Sequence, residues 1–140
     1  MNPDKKRLYL DIDGVLLTTK LTRPANYVIE FIDYILDHFD CYWLTTHCNG
    51  NSNTAITYLS KYFDVSALQK LKQIKPAHWY SLKTEVFDFT TDFIWLEDYP
   101  FLAEISVLKT NKALNNLIII DLNRKDELKN VIAKLVTHLK

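Results

Sequence analysis

Apolar and polar positions follow two rhythms along this chain. Short apolar runs read as strands: Arg7 to Ile12 ("RLYLDI"), Cys41 to Thr46 ("CYWLTT"), Phe93 to Asp98 ("FIWLED") and Leu117 to Asp121 ("LIIID"). Between them the spacing is helical. Val28, Phe31, Ile32, Ile35 and Phe39 share one face after Pro24, a residue that a first helical turn tolerates. Ile56, Leu59 and Phe63 follow the polar "HCNGNSN", which offers several N-caps, and Leu128, Val131, Ile132, Leu135 and Leu139 make a last stripe. The stretch from Asp64 to Phe89 is less regular. It is expected to hold a short helix, a weak strand and another short helix.

Alternating strands and helices predict an α/β fold with a mainly parallel sheet. The third and fourth apolar runs are expected to be buried strands. A chain of 140 residues fits one domain, residues 1–140, with a sizeable core. Seventeen basic residues balance seventeen acidic ones, so net charge points to no partner and gives no strong nucleic-acid signal. The charged start runs into the first strand without an apolar leader, and no segment reaches the roughly 20 apolar residues of a membrane span. Cys41 and Cys48 form no metal-type pair, and a core of this size needs no disulfide, so a reducing cytoplasm is the expected location.

Polar residues gather where the apolar runs end: Asp11 and Asp13, Thr45 and Thr46, Glu97 and Asp98, and Asp121. In a parallel sheet these ends share one edge, where α/β folds bind ligands. Two carboxylates about 4 Å apart repel by roughly 4 kcal/mol at an effective dielectric near 20. Raised pKa values, a lysine or a cation must compensate, and an all-oxygen ligand set with open positions suits Mg²⁺.

These residues resemble the haloacid dehalogenase-like superfamily of phosphohydrolases. "DIDGV" is similar to its first motif, Thr45 after "YWL" to the second, Lys83 in "SLKTE" to the third, and Glu97 with Asp98 to the acidic fourth. Lys75, before Pro76, competes with Lys83 for the third. The resemblance implies a three-layer Rossmann-like fold of about five strands without a cap domain. It also implies a Mg²⁺-dependent phosphatase acting on a phosphorylated small molecule or macromolecule. Asp11 would be the nucleophile that becomes an aspartyl-phosphate, and Asp13 the general acid and base. Mg²⁺ would be held by Asp11, Asp98 and the Asp13 backbone carbonyl, with the role of Glu97 open between metal, metal-bound water and Lys83. Thr45 and Lys83 would hold the phosphoryl oxygens, and His47 stands where substrate contact is expected.

Other readings weigh less. Trp43, Trp79 and Trp95 are expected to pack rather than stack on bases, and Asp121 to cap the last helix or line the pocket edge. A silent relative that binds a phosphorylated or protein partner is the alternative function. A receiver-type phosphoacceptor would need a different order of acids. Two glycines, Gly14 and Gly50, cannot build a Gly-rich phosphate loop.

Overall fold

The computed structural model describes residues 5–139; Met1 to Asp4, the start of the charged lead into the first strand, lie outside them. Four strands form one all-parallel sheet: β1 (Arg7–Leu10), β2 (Asp40–Trp43), β3 (Phe93–Glu97) and β4 (Leu117–Ile119), in the order β2-β1-β3-β4. Five α-helices accompany them, α1 (Val28–His38), α2 (Ser52–Leu59), α3 (Val65–Leu71), α4 (Leu102–Thr110) and α5 (Glu127–His138), with no extra domain. Among the described residues, no helix is long and apolar enough to cross a membrane.

Strand periodicity sorts the core into two layers. Leu8 and Leu10 lie in register with Cys41 and Trp43 on one side and with Ile94 and Leu96 on the other. These residues join Phe31 and Ile35 of α1, Leu59 of α2, Leu71 of α3 and Leu128, Val131 and Leu135 of α5. Tyr9, Phe93 and Trp95 belong to the opposite layer, with Trp79, Phe87 and Leu108 of α4. The Phe87 ring stacks on Phe93 at 4.3 Å. All three tryptophans are buried in packing. At roughly 1.5–3 kcal/mol for each large side chain removed from water, both layers hold β1 and β3 rigidly.

Several expectations need correction. The sheet has four strands rather than about five, because the weak strand expected in the middle of the chain is reduced to one residue. Lys75 accepts from the Trp43 N–H at 2.7 Å and donates to the Cys41 carbonyl at 3.0 Å. Pro76, which follows, has no N–H with which to extend a ladder. Pro24 opens no helix: it pairs with Leu17, and α1 begins at Val28 after Tyr27 in a left-handed conformation. Phe63 lies beyond the end of α2, and Leu139 beyond α5 is nearly half-exposed. β4 is an edge strand with Ile119 half-exposed, so only β3 is buried along its whole length. Cys41 and Cys48 are buried free thiols, and burial pushes Cys41 up to about 12.

Candidate active site

From β1 the chain goes to β2 on one side and later returns to β3 on the other, so the strand order reverses beside β1. A parallel sheet opens a crevice at such a reversal, at the carboxyl ends of its strands. Asp11 follows β1 directly, and its N–H donates to the Leu96 carbonyl at 3.3 Å, continuing the pairing with β3. Glu97 closes β3 and Asp98 follows it. Neighbouring strand ends therefore bring Asp11, Glu97 and Asp98 together, each offering a carboxylate oxygen within 4.8 Å of the others.

Lys83 supplies a counter-charge. Its Nζ lies 2.7 Å from Glu97 Oε1 and 3.2 Å from Asp11 Oδ2, and its side chain is only 13% exposed. The competing Lys75 pairs instead with Asp40 at the opposite end of β2. Both oxygens of Glu97 are engaged, since Oε2 accepts from the N–H groups of Asp98 (3.1 Å) and Tyr99 (3.3 Å). Of the roles open to Glu97, the pairing with Lys83 is the one these contacts display.

Burial dominates the electrostatics. It pushes Asp11 up to about 6, with the attraction of Lys83 and hydrogen bonds from Thr45 and the Ile12 backbone opposing it. Burial likewise raises Glu97 against the pull of Lys83. For Lys83, burial acts downward, but the two carboxylates overcome it and hold the ammonium above its ordinary value. The lysine is therefore a fixed positive charge.

Its mooring is local. Lys83 opens a short 3₁₀ turn, Lys83–Val86, and its N–H donates to Glu104 Oε2 at 2.9 Å. Glu104 Oε1 accepts from the Phe101 N–H at 2.9 Å, so one buried carboxylate ties this turn to the start of α4. On the other side, Gly14 adopts φ +81 with its Cα packed against the Asp98 carboxylate, where any Cβ would overlap that group.

Asp13 stands apart from the acidic trio. The strand ends at Leu10, and the Ile12 carbonyl accepts from the N–H groups of Val15, Leu16 and Leu17, curling the chain. An extended strand would have kept Asp11 and Asp13 on one side; here they take different partners. Tyr58 donates its hydroxyl to Asp13 Oδ1 at 2.8 Å, and His47 Nε2 meets Oδ2 at 2.8 Å. Thr45 is fully buried, its Oγ1 accepting from the His47 N–H at 3.3 Å. A cavity of about 230 Å³ is walled by Asp11, Thr46, Lys83, Glu97, Asp98 and Phe101, among others. Tyr99, 80% exposed, and Phe101 form its rim. Asp121 lines the neighbouring hollow beside Gly14 and Asp98, and its Oδ1 accepts from the Asn123 N–H; it does not cap α5, which starts after Asp126.

Tyr58 and Glu104 are the site residues that sequence reasoning missed. Glu104 had only half a signal, an acid at the third helical position that accepts from the Phe101 N–H, because Phe101 itself has no side-chain acceptor to complete a capping box. Tyr58 had none, being one of eight tyrosines on a helix without other site residues.

Three clustered carboxylates, two of them paired with Lys83, form an all-oxygen group that could hold a metal ion. Neither protein-family models, curated proteins nor solved structures match this chain.

Proposed function

We propose that the protein is a Mg²⁺-dependent phosphatase of the haloacid dehalogenase-like kind, with the three-layer Rossmann-like architecture of that superfamily and no cap domain. One observation carries the reading: Lys83 bridges Asp11 and Glu97 beside Asp98 at the reversal of the sheet. A nucleophilic carboxylate, a fixed cation and a pair of acids at one strand edge are what phosphoryl transfer to aspartate requires.

The donor chemistry fits Mg²⁺, which takes oxygen ligands and usually keeps waters. Asp11 and Asp98 are the side chains that would hold it, with Glu97, the third carboxylate of the group, pairing with Lys83 beside them. When bound, Mg²⁺ supplies charge neutralisation between nucleophile and phosphate.

The chain's own groups then divide the reaction. An Asp11 oxygen bonds to phosphorus as the ester P–O bond breaks, and Asp13 gives its proton to the departing oxygen. In the second half Asp13 takes a proton from water, the water oxygen bonds to phosphorus, and the bond to Asp11 breaks. Lys83 stabilises the charge that develops on the phosphoryl oxygens. Inorganic phosphate leaves and Asp11 is restored.

Purified protein assayed on aryl, alkyl, nucleotide and phosphopeptide monoesters tests this. Phosphate release with Mg²⁺, abolished by chelation, is expected; binding of Mg²⁺ with no turnover on any ester would instead favour a silent binding module.

A further inference from the structure

The geometry points to Tyr58 and His47 as a paired clamp that fixes the Asp13 carboxylate for proton transfer, an inference that rests on the phosphatase reading. The Asp13 side chain is 42% exposed on a turn, where an unheld carboxylate would sample several rotamers. Here both of its oxygens are taken, Oδ1 by the Tyr58 hydroxyl and Oδ2 by His47 Nε2, each at 2.8 Å.

The two partners are held as one unit. Their rings stack with centroids 3.8 Å apart and only 7° between planes, so two polar edges reach one carboxylate side by side. Tyr58 rides on α2, which Ala55 and Leu59 root in the core, and the ring of Tyr62 packs edge-on against it. His47 is tied at both ends of its backbone: its N–H donates to Thr45 Oγ1, and its carbonyl accepts from the Thr54 hydroxyl. The second strand loop and α2 therefore converge on Asp13.

The clamp suits both halves of the cycle. A phenol and an imidazole can each donate or accept, according to rotor and tautomer, so Asp13 can be gripped as acid or as carboxylate. Each carboxylate oxygen keeps a further lone pair for the substrate. Tyr58 and His47 are positioning residues: they act on the reaction through Asp13.

A mere tether between α2 and the Asp13 turn would affect all substrates alike. A proton donor's positioning group would not, because an aryl oxide leaves without a proton and an alkoxide does not. The test compares kcat/KM of native protein, Tyr58→Phe and His47→Phe on p-nitrophenyl phosphate and on ethyl phosphate, with Mg²⁺. Both variants keep the stacked rings. The expected result is a fall of roughly tenfold or more on ethyl phosphate, with less than about a threefold change on the aryl ester. Equal losses on both esters, or no loss on either, overturn the clamp while leaving the phosphatase reading intact. No turnover of either ester by the native protein overturns both.

Discussion

Gly14 and Asp98 are in such close contact that glycine is the only residue the site admits: a Cβ at position 14 would overlap the Asp98 carboxylate, and φ +81 strains any other side chain. The turn after β1 therefore sets the position of the acid that follows β3. Under the proposed function Mg²⁺ is expected to raise the melting temperature of the native protein, and Gly14→Ala to displace Asp98 and remove most of that rise. Melting curves with and without Mg²⁺ check this, and an unchanged metal response in the variant contradicts it.

Lys83 neutralises two largely buried acids, and removing one partner of such a group costs about 3–5 kcal/mol where burial is complete. Lys83→Met is expected to destabilise the metal-free protein by about 3 kcal/mol at neutral pH, somewhat less than the full cost because Asp11 keeps some exposure. Adding Glu97→Gln is expected to recover part of that loss. Urea denaturation of the single and double variants measures both effects.

Asp11 carries a cost of its own. Its folded value of about 6 lies above the ordinary 3.8, so the folded state binds the proton more tightly than the unfolded chain. The resulting contribution to stability is complete below the ordinary value and is lost as pH rises through the folded one, at most about 3 kcal/mol. Metal-free Asp11→Asn is thus expected to be more stable than native protein at about pH 8, with the advantage gone near about pH 3.5. Denaturation in chelator at both pH values is the check, and an Asn variant less stable than native at the higher pH contradicts it.

Glu104 accepts from two backbone N–H groups, those of Lys83 and Phe101. Glu104→Gln keeps the shape but offers a single acceptor oxygen, leaving one buried donor without a partner. A loss of about 1–3 kcal/mol in stability is expected, accompanied by lower kcat because the Lys83 turn is loosened. Stability and kcat that both stay at native values would show that the tether does not position the lysine.

Much of this arrangement was legible in the sequence. Runs such as "FIWL" are apolar throughout because β3 is buried on both faces, and the polar residues that close them converge because the sheet is parallel. Strand order placed the carboxylates Asp11, Glu97 and Asp98 at one edge, whereas spacing left Lys75 beside Lys83 as a candidate lysine. What escaped was set by tertiary contact. Nothing in the pattern of "LIIID" distinguishes a buried strand from an edge strand, since exposure of Ile119 depends on the absence of a neighbour. The different surroundings of Asp11 and Asp13 were equally hidden, because the turn after Leu10 breaks the alternation of an extended strand. Tyr58 reaches Asp13 across forty-five positions, a distance that no local spacing spans.

The central claim, that Asp11 is the nucleophile of a Mg²⁺-dependent phosphatase, is tested most directly by phosphate release from native protein and from Asp11→Asn, each with Mg²⁺ and with chelator. Turnover by the native protein with Mg²⁺ alone, and by the variant under neither condition, is the predicted result. Equal turnover by the two proteins would contradict it.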